Sequence, residues 1–218
     1  MKIVLEGIDG VGKTTIINAL TQVLKQRSCD FRIIDEIEDS PISCVLAQML
    51  KEDPFFRING NGNFLPYATF LLLADHQYRQ NVVNIRDDII NIFDRDYPTL
   101  IVYQQRLLKD FYKDKNISGL LNAIDECANF NIKPTDLIVY VSVPLDISVA
   151  RVKARSRRES EQFERGEISF LQNTKKDFEE IFLPHEKEKG TNILHIDGTK
   201  NPIENANLIA DTIIKLYG

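Results

Sequence analysis

Residues 7–14 read Gly7-Ile8-Asp9-Gly10-Val11-Gly12-Lys13-Thr14, the pattern G-x-x-x-x-G-K-T. The chemistry of this spacing is phosphate binding. Glycines let successive backbone N–H groups turn inward and cradle phosphate oxygens, Lys13 reaches the β- and γ-phosphates, and the Thr14 hydroxyl is placed to ligate Mg²⁺. A second group is Asp94-Arg95, at the end of the apolar run IINIF. A carboxylate there orients Mg²⁺ through water, and a guanidinium clamps a phosphate bidentately. On its own, Asp-Arg reads rather as a surface ion pair beside a turn; the phosphate loop tips it toward function. A third group is Arg151, Lys153, Arg155, Arg157, Arg158 and Arg165. Ser156 to Gly166 has no apolar periodicity and reads as a loop. Guanidiniums on such a loop suit a lid closing over transferring phosphates, with water excluded. Glu159, Glu161 and Glu164 partly neutralise it, so a solvated charged loop is the alternative.

These groups need a scaffold. Continuous apolar runs at 2–6, 31–36, 89–93, 137–143 and 192–196 predict strands of a parallel sheet buried on both faces. Helical periodicity predicts helices at 13–27, 41–51, 66–84, 99–112, 117–129, 145–155, 168–187 and 203–217. Strand, Gly-rich turn and helix at the N-terminus is the context the phosphate motif requires. The expectation is one doubly wound α/β domain over 1–218, with an exposed loop at 53–63. Ligands of such sheets bind outside the carboxyl ends of the strands, where both the loop and Asp94-Arg95 fall.

Composition narrows the partners. The chain has 218 residues, 43% hydrophobic, with 32 acidic against 27 basic residues and a net charge of −5. Nothing in that balance favours a nucleic acid polymer or an anionic membrane. Cys29, Cys44 and Cys127 are too scattered for a disulfide framework or a metal site and are expected to be reduced core thiols. No secretory signal and no run of about 20 apolar residues is present, so a cytoplasmic location is expected. His185 and His195 have no paired ligands nearby and read as structural or surface residues.

Taken together, these residues resemble the thymidylate kinase family of P-loop nucleoside monophosphate kinases, nearly end to end. Glu6 to Thr15 is similar to its E-G-x-D-G-x-G-K-T-T, and Leu71-Leu72-Leu73-Ala74-Asp75 to its L-L-x-A-D. Asp94-Arg95 with Tyr103-Gln104 resembles D-R-Y-x-x-S-x-x-A-Y-Q, Pro134 to Pro144 the strand leading to the lid, and Phe163-Glu164 the end of D-R-F-E. The resemblance implies a five-stranded parallel sheet with helices on both faces, an Arg-rich lid at about 153–167, and a homodimer. It implies ATP and Mg²⁺ as cofactors and a deoxynucleoside monophosphate, dTMP first, as acceptor. Gly7, Asp9, Gly10, Val11, Gly12, Lys13, Thr14, Thr15 and Arg151 would serve ATP, with Thr14 and Asp94 on the metal. Asp9 and Arg95 would meet the acceptor, Phe70 would stack on its base and Tyr103 would disfavour a 2′-hydroxyl, with His76, Thr99 and Gln104 nearby. Catalysis would rest on Lys13, Asp9, Arg95, Arg155, Arg157 and Arg158. Some members carry an Arg at the position of Gly10; here, as in the other subclass, the lid would supply the arginines.

Four departures fall on the acceptor side. The family's R-E-P-G-G-T is Asp35-Glu36-Ile37-Glu38-Asp39-Ser40 here, and its base-contacting Arg is His76. D-R-Y is Asp94-Arg95-Asp96, and the polar pair before A-Y-Q is Thr99-Leu100. His76 would donate a single hydrogen bond in place of a fork. Two alternatives stay open: a deoxyribonucleoside kinase with Glu36 as base, and a nucleotide-binding relative without catalysis.

Overall fold

The computed structural model describes residues 1–37, 40–53, 65–81, 85–155 and 168–217. The expected lid loop, with Arg157 and Arg158, and most of the expected 53–63 loop lie outside them, as does the side chain of Arg155. Five parallel strands form one sheet in the order β2-β3-β1-β4-β5: β1 Lys2–Glu6, β2 Phe31–Ile34, β3 Ile90–Asp94, β4 Leu137–Ser142 and β5 Asn192–Asp197. The runs KIVLE and LIVYVS are buried on both faces because they hold the centre, while edge strand β5 (NILHID) is largely accessible. Register is set across the centre, with Ile3 opposite both Ile92 and Leu137.

By contact the chain divides into two compact units: residues 1–33, 86–95 and 134–218, and residues 34–85 and 96–133. The first holds the sheet together with α1 (Lys13–Gln26), α7 (Leu145–Arg155), α8 (Ile168–Asp177), α9 (Leu183–Glu188) and α10 (Pro202–Tyr217). From β1 the chain steps toward one edge of the sheet, to β2; each later step runs toward the other edge. Right-handed crossovers therefore put α1 on one face and α7 to α9 on the opposite face. Helix α10 returns to pack on α1, where Arg27 donates to Asp211 (2.5 Å) and Asn207 (2.9 Å). The reversal of direction makes the carboxyl end of β1 the switch point, where open α/β sheets hold their ligands.

The second unit is helical: α2 (Ser43–Glu52), α3 (Leu65–Asn81), α4 (Tyr97–Thr99), α5 (Gln105–Phe111) and α6 (Ser118–Asn129). A wide π turn, Leu100–Gln104, joins α4 to α5, and a second, Phe178–Phe182, joins α8 to α9 in the first unit. The expected helices 99–112 and 168–187 are thus each interrupted by a π turn. Strand 31–36 ends at Ile34, because Asp35 and Glu36 leave the sheet edge. The cysteine expectation is corrected: all three are free thiols, but Cys44 and Cys127 are exposed and Cys29 is half-buried, since each lies near the outer surface of a helix or at its end. Among the described residues, no helix is long and apolar enough to cross a membrane.

Candidate active site

The loop between β1 and α1 is shaped by glycines that no other residue can replace. Gly7 has φ +140° and a Cβ there would sit 2.2 Å from the Val141 carbonyl oxygen; Gly10 has φ +82° and its Cβ would sit 2.4 Å from that of Ser148. The second contact explains why an arginine in the loop is foreign to this chain: the backbone of α7 occupies the space its side chain would need. Gly12 (φ +101°) precedes α1, which has no capping side chain and no acid in its first turn. The helix therefore offers its first N–H groups and its positive dipole end to an anion. Thr14 and Thr15 are exposed at that end.

Lys13 is buried at 7% exposure, and its Nζ donates to the carbonyls of Gly7 (2.8 Å) and Ile8 (3.2 Å). Burial, and then the nearby Arg95 cation, lower its pKa from 10.5 to about 8, against opposing pulls from Asp9, Asp94 and Glu6. A lowered lysine pKa means that burial of the ammonium opposes folding below about pH 8, and this cost fades as pH rises toward 10.5. Bound phosphates reverse the preference by favouring the ammonium. Mg·ATP binding above about pH 8 is therefore expected to be accompanied by proton uptake, and affinity should fall as pH rises further. Calorimetry in buffers of different ionisation enthalpy measures the uptake; Lys13→Met should abolish it, and uptake unchanged in that variant would place the titrating group elsewhere.

Arg95 follows β3, the strand paired beside β1. It is buried, takes a left-handed φ of +67°, and donates through Nη2 to the Asp9 carboxylate. A non-glycine residue held in that region costs of order 1–3 kcal/mol and is retained where the surroundings demand it. Asp94, half-buried, lies close enough to act on Lys13. Lys13, Thr14, Asp9, Asp94 and Arg95 thus gather at the carboxyl ends of two neighbouring strands. The donor set fits Mg²⁺, which takes hard oxygens and keeps several waters, binding through one or two side chains and substrate phosphates.

Beside the loop lies a cavity of about 540 Å³, lined by Gly10, Gly12, Thr15, Ile16, Arg151 and the segment Gly198 to Pro202. Sequence reasoning missed that last segment. Its only signal was Asp197-Gly198-Thr199 after a strand, a turn in which Asp197 accepts from the Thr199 N–H (2.9 Å) and hydroxyl (2.6 Å). Those bonds hold the Asp197 carboxyl below its usual value.

In the helical unit, Phe70 is half-exposed on α3, while Thr99, Tyr103 and Gln104 are buried around the π turn. Gln104 Oε1 accepts from the Thr69 hydroxyl (2.9 Å). His76, expected near the acceptor base, lies inside the helical unit. It is 0% exposed; its Nε2 donates to the Ala128 carbonyl (2.9 Å), and Nδ1 lies 3.0 Å from Asp96 Oδ1. Two departures from the family pattern, His76 and Asp96, therefore lie against each other. Gln80 donates to the same Asp96 oxygen (2.9 Å), and Arg79 bridges Asp75 (3.2 Å), which accepts from Ser40 (2.6 Å).

A nucleotide-type phosphate loop at a switch point, with an arginine at the next strand end, defines a P-loop kinase. The chain belongs to the thymidylate kinase family, whose profile matches residues 5–209. It is a nucleoside monophosphate kinase. A probable thymidylate kinase of Pyrobaculum aerophilum is 27% identical over 97% of this chain and 95% of its own. In fold, the chain is similar to deoxyadenosine kinase from M. mycoides with bound dATP (TM-score 0.66, 18% identity, 98% and 99% of the two chains). It is equally similar to the same kinase with dCMP and dCDP bound (TM-score 0.66, 19% identity, 99% and 100%).

Proposed function

We propose that the protein transfers the γ-phosphoryl group of ATP to dTMP, giving dTDP, with Mg²⁺ on Thr14 and, through water, Asp94. The observation that carries this is the juxtaposition of Lys13 and the Arg95–Asp9 pair on neighbouring strand ends. Lys13 and the N–H groups of the loop would hold the donor phosphates, and Arg95, leaving Asp9, would take the acceptor phosphate. Mg²⁺ would neutralise charge developing on the transferring group. Nothing covalent is asked of the protein; positioning and charge stabilisation carry the rate. Arg155, Arg157 and Arg158 are proposed to complete that charge, and the cavity at Arg151 and Gly198 to Pro202 to receive the donor base. Phe70, Thr99, Tyr103 and Gln104 are proposed on the acceptor side, without His76. One domain acting as a homodimer in the cytoplasm completes the proposal; exposed Tyr67 on α3 supports a helix-mediated contact, and sedimentation at the dimer mass tests it.

Arg95→Ala is expected to raise the acceptor KM roughly 30- to 100-fold while ATP KM changes far less, since a charge-assisted bidentate contact is lost. Equal effects on both substrates would assign Arg95 elsewhere. The overall test is a coupled assay across all deoxynucleoside monophosphates and thymidine. Turnover with dTMP far above the others supports the proposal. Robust phosphorylation of thymidine would instead favour a deoxyribonucleoside kinase using Glu36, a reading to which the altered acceptor-side residues lend weight.

A further inference from the structure

Ser148 and Arg151 lie three residues apart on α7, on one face of the helix. The Ser148 hydroxyl donates to the Asp9 carbonyl (2.5 Å). Arg151 Nη1 donates to the carbonyls of Val11 (3.1 Å) and Gly10 (3.4 Å), and Nη2 to that of Gly198 (3.1 Å). Three successive carbonyls of the phosphate loop are therefore held by one helix. The backbones also touch directly, since a Cβ on Gly10 would meet the Ser148 carbonyl at 2.4 Å and one on Gly198 would meet the Val11 carbonyl at 2.3 Å.

In a trans peptide the C=O and the following N–H point in opposite directions. Gripping the Asp9, Gly10 and Val11 carbonyls from one side fixes the N–H groups of Gly10, Val11 and Gly12 toward the other. Those are donors the motif needs to cradle phosphate. We propose that Arg151, assisted by Ser148, is a positioning residue that preorganises the phosphate loop through its peptide planes, so that the stem of the Arg-rich segment and the loop act as one body. The guanidinium suits this task because its planar fork reaches three carbonyls, whereas an ammonium is a single compact point. The inference rests on the kinase reading of the loop and assigns Arg151 a role there beyond lining the cavity proposed for the donor base.

The test uses Mg²⁺-tripolyphosphate, which engages the loop and has no base or sugar. By calorimetry, Arg151→Met should weaken it about tenfold or more, with dTMP affinity nearly unchanged. Arg151→Lys should recover little of the loss. Amide hydrogen exchange at residues 10–12 should quicken in both. Tripolyphosphate affinity unchanged in Arg151→Met while ATP affinity falls would overturn the inference, because Arg151 would then touch base or sugar; so would full rescue by Lys. Should Arg151→Met not fold, Ser148→Ala decides: a loss of about threefold supports the inference, and none overturns it. A wild-type protein that binds neither tripolyphosphate nor ATP would instead remove the kinase reading itself.

Discussion

Lys13→Ala should lower kcat/KM on the order of 10³-fold or more while the protein stays folded. The two effects separate because Lys13, in the role proposed for it, would serve phosphate at the expense of the resting protein. Its ammonium is buried, its pKa is pulled down to about 8, and its partners are the carbonyls of Gly7 and Ile8. Those carbonyls replace water imperfectly, so deleting the charge removes a desolvation cost in the free protein. In the nucleotide complex the same deletion removes a charge-assisted contact at the point where negative charge develops. Activity should collapse while Tm stays within about 3 °C of wild type. Full turnover in the variant would show that the loop is not the catalytic site. A Tm loss comparable to a core truncation would show that Lys13 is structural.

Asp96→Ala should have the largest effect on stability, about 3–5 kcal/mol, or a Tm lower by roughly 10 °C. Asp96 is buried at 1% exposure against His76 Nδ1 (3.0 Å), Gln80 Nε2 (2.9 Å) and, at 3.9 Å, Arg79 Nη1. Removing the carboxylate takes one counter-charge from the buried Arg79 cation, which also bridges Asp75 (3.2 Å), and strips His76 of the carboxylate beside it. An uncompensated buried charge costs more than a lost pair yields, which is why truncating one partner is so damaging. Asp96→Asn keeps the shape and a hydrogen-bonding oxygen and should cost markedly less. Thermal melts of both variants provide the check. Equal melting of Asp96→Ala and wild type would mean that the cluster contributes nothing to the helical unit.

The conformation of the loop was legible because it is set locally. Gly7 to Thr14 is one uninterrupted run whose spacing alone forces a strand–turn–helix junction, and Asp94-Arg95 advertises itself by ending an apolar strand. Strand and helix positions were legible for the same reason, since periodicity is a property of neighbouring residues. Errors arose where the outcome depends on distant residues. The π turns at Leu100–Gln104 and Phe178–Phe182 leave helical periodicity almost intact. Cys44 and Cys127 look apolar by type, yet each falls on the solvent side of its helix.

By itself, the sequence determined a phosphate-binding loop, a parallel α/β sheet and a family. Tertiary structure decided what individual side chains on that frame do. His76 reads as a base contact in the chain and becomes the buried partner of Asp96, 20 positions away. Arg151 reads as an ATP-binding residue in the chain and is found bonded to a carbonyl 140 positions earlier. Both outcomes follow from one physical fact: a hydrogen bond or ion pair is specified by distance in space, and distance in space is set by crossovers of the sheet and packing of the helices.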